Sequence, residues 1–379
     1  MECSASARIR TERLLLPRAE LRRLGSRKHD CRLLSDACLW NRQYVLDARK
    51  MTRGSMRALL RMGMREVHVG WKVTSLAQTG LFRMRTRSDS RELRHANYSG
   101  CVPLVWWPMW GYSFADFFQH SVNAISELLQ AGVIDRDVVL APEVGGWRLV
   151  DFQLRMLGAL TQGPTRTTAQ IAPRCSGSRT CPPRCFSRLL LCRFKDVYDL
   201  EVPVAPFKAA HRMLPSLLLE VSFAESRKDP FTVIFANRTR THHGARQIKN
   251  LNGLVDDCRG WRPAPQCGAT HRTSCEAHNF GHRGLRADIT RMQRANVLVG
   301  THGAALIHAL FMKPGSSLIE IRPYHFDGRW PDSYHYAMAQ QENMTRIFVI
   351  RTTNRSLCSP IPNANVSAWD ARPLDTYYC

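Results

Sequence analysis

Between residues 295 and 323 the chain reads ANVLVGTHGAALIHALFMKPGSSLIEIRP, an order of residue types that few local structures accommodate. Residues 296–299 are a short apolar run with β-branched members, the composition of a buried strand. Gly300 and Gly303 then bracket a tight loop that carries Thr301 and His302. The apolar segment 304–312 reads as a helix, stopped by Pro314 and Gly315. A second strand, 317–321, follows and carries one acid, Glu320. Strand, glycine loop, helix, turn and strand make a βαβ unit. Its loop lies at the carboxyl edge of the strands, where open α/β sheets take their ligands.

The chemistry of such a loop is anion binding. A helix start leaves backbone N–H groups unpaired and carries partial positive charge. Gly303 lets the backbone approach a diphosphate closely, Ala304 and Ala305 offer N–H groups, and Thr301 and His302 add donors. Glu320, ending the next strand on the same edge, is placed to accept hydrogen bonds from ribose hydroxyls. Small residues that merely let a helix pack on a sheet give the same pattern, so the pattern alone leaves both readings open.

The string GTHGAALIHALFMKPGSSLIEIRP resembles the signature of glycosyltransferase family 61. Members of that family carry a Gly-x-His-Gly-Ala-Gly-Leu loop, a Phe-x-x-Pro-Gly turn and a strand with a Glu. Gly300, His302, Gly303, Ala304, Leu306, Phe311, Pro314, Gly315 and Glu320 match in type and order. Two positions depart: Ala305 replaces the second loop glycine and narrows the room for phosphates, and His308 stands where the family usually has Asn. The resemblance runs from about residue 100 to about residue 355. It implies an α/β, GT-B-like fold in which two Rossmann-like doubly wound domains face across a cleft.

At 379 residues the chain is long enough for two domains. The formal net charge is +23 and the basic side is mostly arginine, with only eight lysines among the 54 Lys+Arg. The arginines are scattered rather than gathered into a block, which argues against a nucleic-acid partner despite the charge. Of the 13 cysteines, Cys175, Cys181, Cys185 and Cys192 crowd together, but not at the paired C-x-x-C spacing of a structural zinc site, so disulfides or plain thiols are expected. Sequons at Asn97, Asn237, Asn343, Asn354 and Asn365, with the cysteines and the family, point to the lumen of the Golgi or endoplasmic reticulum. No signal peptide or membrane-spanning run is visible in the chain, and residues 1–30 mix Arg with Glu2, Glu12 and Glu20.

Residues 1–95 form a basic region without a recognisable motif, in which 57–69 reads as a helix. An N-terminal Rossmann-like, acceptor-binding domain is expected over 96–225. Within it, 114–130 and 149–160 read as helices, 137–140 as a strand and the Cys-rich stretch 163–193 as an inserted loop. Residues 201–221 read as a link. The donor domain is expected over 226–379, with strands at 231–236 and 346–351, helices at 251–261, 285–294 and 332–340, and irregular chain over 263–282.

Three further groups bear on chemistry. Phe118-Gln119-His120 resembles a triplet that opens a helix in the family's N-terminal domain. His120 there could deprotonate an acceptor hydroxyl, or simply be a satisfied histidine at a helix end. The acid that the family often has four residues on is Ala124 here, beside Asn123, so the orienting carboxylate is missing. Asn237-Arg238 and the Arg246-to-Asn250 run resemble the family's strand-end Arg and Arg-x-Ile-x-Asn element. The resemblance gives Arg238, Arg246 and Asn250 to the donor, the arginines neutralising its pyrophosphate. His242 and His243 match nothing. Asp135-Arg136-Asp137 fits an Asp-x-Asp metal motif, but between a helix and a strand it reads as an ordinary acidic loop, and no metal or cofactor is expected.

The resemblance implies an inverting, metal-independent glycosyltransferase that uses a nucleotide-diphosphate sugar, with a UDP-sugar the expected donor, and a hydroxyl of a glycan or protein as acceptor. Family members differ in donor (N-acetylglucosamine, xylose, arabinose), and the sequence leaves donor, acceptor and oligomeric state open. A GT-B-fold binding protein without turnover is the alternative, and a basic nucleic-acid-binding protein a more distant one.

Overall fold

The computed structural model of the protein describes residues 29–40, 43–46, 66–69, 72–75, 82–84, 97–99, 101–108, 113–144, 148–171, 183–194, 206–218, 230–238, 247–261, 272–322, 346–353, 359–360 and 377–378. The chain divides into two compact units, Met1–Glu201 and Val202–Cys379.

The first unit is built on a seven-stranded mixed sheet. β1 (His29–Trp40) turns back antiparallel into β2 (Gln43–Leu46), while β3 (Glu66–Val69) and β4 (Lys72–Ser75) pair as a separate hairpin. The short strands β5 (Phe82–Met84), β6 (Asn97–Ser99), β7 (Pro103–Trp106) and β8 (Val139–Pro142) follow, and then β9 (Arg184–Phe194). Across the sheet the order is β5-β2-β1-β9-β7-β8, with β6 also on β9. The pairs β7–β8 and β7–β9 are parallel, whereas β1 runs antiparallel to β9 over almost its full length. The expected doubly wound pattern therefore extends in this unit only to the β7–helix–β8 portion; the rest of the sheet is mixed.

The helix between β7 and β8 starts at α1 (Phe114–Asp116), where the Ser113 hydroxyl accepts the Asp116 N–H at 3.4 Å. It continues as a π-helical stretch, Phe117–Val122, and ends as α2 (Asn123–Gln130). Phe117, Phe118, Val122, Ile125 and Leu128 are buried, as the spacing predicts. The wider π turn also carries Gln119, His120 and Ser121 inward, and Trp106 Nε1 donates to Ser121 Oγ at 3.1 Å. The helices α3 (Asp151–Leu160) and α4 (Thr168–Ile171) lead on towards β9.

Two expectations for this unit are corrected. The supposed insert 163–193 contains α4 and most of β9, a central strand whose Leu189, Leu190, Leu191 and Cys192 have no exposed surface. A strand covered on both faces does not alternate, and Ser187 and Arg188 break what apolar run there is, so its sequence looks like a loop. The basic N-terminal region supplies the partner: Cys31 is bonded to Cys192 and Cys38 to Cys185, each pair directly opposite in the ladder. In addition, residues 66–69, read as the end of a helix, form β3. Residues 57–65, Cys175 and Cys181 lie outside the described residues.

The second unit begins with α5 (Pro206–Leu217), which packs on the helix after the glycine loop and so belongs here rather than to a link. Its sheet comprises β10 (Phe231–Ala236), β11 (Thr273–His278), β12 (Val297–Thr301), β13 (Ser317–Arg322) and β14 (Arg346–Arg351). All four pairings are parallel and the order is β11-β10-β12-β13-β14. This is the doubly wound order 2-1-3-4-5, as expected for the donor domain. α6 (Leu251–Gly260) covers one face, packing Leu251 and Val255 against Val233, Phe235 and Val299. The alternate residues Ile234, Leu298 and Leu318 turn to the other face, where α7 (Leu285–Arg294) packs on the helical segment that follows β12. β11 falls in the stretch read as irregular. It is an edge strand rich in polar residues, TSCEAH, fixed by its ladder to β10 and by the Cys258–Cys275 disulfide. The expected helix 332–340 lies outside the described residues.

The Cys31–Cys192 bond closes a loop with a sequence separation of 161 residues. Replacing both cysteines with Ser should lower stability by on the order of 2–5 kcal/mol, seen as a drop in Tm of the first unit that added reductant reproduces in the wild type.

Candidate functional site

In the 2-1-3-4-5 order the winding reverses between β10 and β12, and the loops that leave their carboxyl ends diverge to opposite faces. Asn237 and Arg238 follow β10, and His302 and Gly303 follow Thr301 at the end of β12. The Arg238 guanidinium donates to the His302 carbonyl at 3.3 Å, while the Arg238 carbonyl accepts from Gln247 Nε2 at 2.9 Å. Two glycines make this approach possible. At Gly300 a Cβ would lie 2.8 Å from the Ala236 Cβ and 2.9 Å from Leu306 Cδ2, so the β12 backbone can lie this close only without a side chain. At Gly303 the backbone has φ +157° and ψ 173°, essentially a glycine-only region, and a Cβ would meet an Arg238 guanidinium nitrogen at 2.4 Å.

Beneath the loop lies a buried ionic triad. Glu320 faces Gly300 in the parallel ladder, with Arg322 two residues on and on the same face. His302 Nδ1 donates to Glu320 Oε1, and Arg322 Nε donates to Glu320 Oε2 at 3.0 Å. Glu320 has no exposed surface. Both carboxylate oxygens are engaged inside the fold, one by His302 and the other by Arg322.

The helix after the loop, Ala304–Phe311, is a 3₁₀ helix with Gly303 at its N-cap. Ala304 is exposed and Ala305 half-buried, so the first turn presents its N–H groups at the surface of the loop. His308 is buried, and its Nδ1 donates at 2.9 Å to the Ala305 carbonyl one turn back. Its ring stacks on Phe280 of the loop after β11, and Nε2 lies 3.9 Å from Asp288. Asp288 is itself buried, accepting from His278 Nε2 at 2.7 Å and from the Gly281 N–H at 2.8 Å. Burial holds the His308 ring down from its ordinary 6.5 to about 4, against the opposing pull of Asp288 and the Ala305 carbonyl.

The structure thus brings Arg238, Thr301, His302, Gly303, Ala304, Ala305 and Glu320 together at one sheet edge. Asn250 is exposed at the N-cap of α6, and Arg246 lies outside the described residues. His120, in the first unit, is buried, with Nε2 3.8 Å from Asp116 Oδ1. Asp116, one turn earlier, places a carboxylate near this histidine but beyond hydrogen-bonding distance. Asp135 and Asp137 sit in the turn entering β8. Arg322 and the His278–Asp288–His308 cluster escaped the sequence reading. For Arg322 a signal was present, since residues i and i+2 of a strand share a face and Glu320 had already been singled out.

A parallel five-stranded sheet of this order, with a glycine loop and basic groups at its switch point, defines a doubly wound α/β unit of the ligand-binding class. The family model described as Glycosyltransferase 61 matches residues 181–319, from just before β9 to within one residue of Glu320, so this part of the chain is similar to glycosyltransferase family 61. A comparison with curated proteins found no match. The family supports glycosyltransferase activity, with a nucleotide sugar and a glycan acceptor as its general partners. The disulfides fit an oxidising, secretory compartment, and among the described residues no helix is long and apolar enough to cross a membrane.

Between its unfolded value of 6.5 and about 4, the unfolded chain takes up a proton at His308 that the folded protein refuses, so acidification through that window should destabilise the fold. His308→Asn should flatten this part of the stability–pH curve by up to about 3 kcal/mol, read from urea unfolding at a series of pH values. Gly303→Ala should displace Arg238, strain the loop backbone by about 1–3 kcal/mol and weaken anion binding there at least about tenfold, the first read as a lowered Tm and the second by calorimetric titration with UDP.

Proposed function

We propose that the protein is an inverting glycosyltransferase that takes a UDP-sugar and transfers the sugar to a hydroxyl of a glycan or glycoprotein. The observation that carries this reading is the seating of the Arg238 guanidinium against Gly303 at the switch point, next to the start of the 3₁₀ helix. That arrangement gathers a permanent cation and unpaired backbone N–H groups where a diphosphate would lie, so its charge is balanced without a metal. This reading assigns Arg246 and Asn250 to the donor as well, and Thr301 contributes its backbone. His302 donates to the diphosphate, with Glu320 holding the ring from behind.

In the transfer, the acceptor oxygen forms a bond to the anomeric carbon as the bond from that carbon to the β-phosphate oxygen breaks, and the electron pair leaves with the diphosphate. In this reading the acceptor's proton passes to His120. The reading carries with it the GT-B architecture, and action in the lumen of the Golgi or endoplasmic reticulum. A second reading, a UDP-binding protein without turnover, is favoured by the near-complete burial of His120, which is 2% exposed.

Release of UDP from a panel of UDP-sugars separates the two. Release from one donor, insensitive to chelator and reduced at least a hundredfold in His302→Ala and His120→Ala, supports transfer. UDP binding without release from any donor supports the second reading, and absence of UDP binding overturns both.

A further inference from the structure

The carboxyl edge of the second sheet has two sides, and the meeting of Arg238 with Gly303 occupies one of them. Ala236 lies beside Gly300 and Leu306, and Arg238 reaches Gly303, so both turn to the side of the Ala304–Phe311 helix. Successive residues of a strand alternate, so Asn237 between them turns to the side that α6 covers. The end of β11 repeats the pattern. His278 bonds Asp288 of α7 and Phe280 stacks on His308, which leaves Asn279 on the α6 side. At the end of β12, Gly300 faces Leu306 and His302 bonds Glu320, which leaves Thr301 there as well.

On this side Val233, Phe235, Cys275 and Val299 form the apolar cluster that α6 covers with Leu251 and Val255. The row Asn279, Asn237, Thr301 continues the same face towards the carboxyl edge, where polar residues take over. The two asparagines are neighbours. The Asn237 N–H donates to the His278 carbonyl at 2.9 Å and so extends the β10–β11 ladder, which sets Asn237 and Asn279 about 5 Å apart.

Both asparagines are half-buried. Among the described residues the buried Asn279 side-chain oxygen accepts from no donor, and the Asn237 amide makes no side-chain hydrogen bond. Polar groups withdrawn from water normally find a partner within the fold. Each amide carries a donor and an acceptor in one plane, and a half-turn about its last bond exchanges them. The row itself is uncharged, so it suits a neutral, hydrogen-bonding ligand surface rather than a phosphate.

We propose that Asn237 and Asn279 form a nucleoside subsite: a nucleoside diphosphate crosses the sheet edge at the switch point, its diphosphate on the Arg238 side and its nucleoside hydrogen-bonded by the two amides on the α6 side. The proposal rests on the reading that Arg238 and the glycine loop hold the diphosphate. A ligand lying across the edge where the winding reverses meets both faces of the sheet, and the amides are its partners on the second face. The nucleoside stays with the diphosphate throughout the transfer, so fixed partners on the same sheet as Arg238 suit it, whereas the sugar has to leave.

The test is calorimetric titration of the full-length protein with UDP and with inorganic pyrophosphate. The wild type should bind UDP at least about tenfold more tightly than pyrophosphate, the contribution of two ordinary hydrogen-bonded groups. Asn237→Ala and Asn279→Ala should each weaken UDP binding about three- to tenfold while leaving pyrophosphate within about twofold, a split that loss of packing would not produce. Thr239→Ala removes the Asn237-Arg238-Thr239 sequon but keeps the amide, and should bind UDP as the wild type does.

Equal affinity of the wild type for UDP and pyrophosphate overturns the proposal without any variant, and leaves the donor-site reading standing. Unchanged UDP affinity in both alanine variants, or equal losses for the two ligands, overturns it as well. So does a loss in Thr239→Ala equal to that in Asn237→Ala. Failure of the wild type to bind either ligand removes the donor-site reading and this proposal with it.

Discussion

The reversal of winding between β10 and β12 is the constraint on which the site depends. Neighbouring strands of a parallel sheet normally hand their connections to the same side, and the carboxyl edge is roofed by the loops that do so. Where the connections part, a short length of that edge stays open. Arg238 and Gly303 meet there because each is the second residue beyond its strand, and the missing side chains at Gly300 and Gly303 set how close they come. The 3₁₀ helix follows directly from Gly303, so backbone donors and the guanidinium arrive at one place without any long loop to order them.

Two carboxylates have been taken out of water behind this edge, and they are satisfied differently. Asp288 is answered by a histidine and a backbone N–H. Glu320 is answered by a histidine and an arginine. Removing either partner of a buried carboxylate leaves an uncompensated charge, so both clusters hold the edge rigidly whatever else they do. His308 links them in space: it belongs to the helix that starts at the glycine loop, yet its ring lies against Phe280 and near Asp288. The family's usual Asn at that position is smaller and does not titrate, so this chain has placed a proton-sensitive group where a fixed amide is the common choice.

Much of the second unit was legible because its signals are local. β10, β12 and β13 are apolar runs closed by glycine or proline, and the amphipathic spacing of α6 and α7 reveals which face each buries. The loop at Gly300 to Gly303 was readable for the same reason, and so was the identity of its neighbours Arg238 and Glu320. The role of Glu320 was not, because a carboxylate at a strand end looks the same whether it points to solvent or beneath the adjoining strand. β11 was missed since an edge strand needs few apolar residues once a ladder and a disulfide fix it. β9 was missed for the opposite reason, burial on both faces. The carboxylate beside His120 was sought one turn downstream and stands one turn upstream, at Asp116, which helical spacing allows equally.

The pairing of β1 with β9 also bears on how the protein is made. The two strands that lie side by side at the centre of the first sheet are separated by some 150 residues of chain, and the other five strands of that sheet are synthesised between them. β1 therefore emerges with an unsatisfied edge and two thiols, Cys31 and Cys38, whose partners do not yet exist. The sheet closes only when residue 194 has been delivered, so whatever compartment oxidises these cysteines must also hold an open strand for most of the first unit's synthesis. Such a chain is expected to depend on the folding machinery of that compartment more than its modest size suggests.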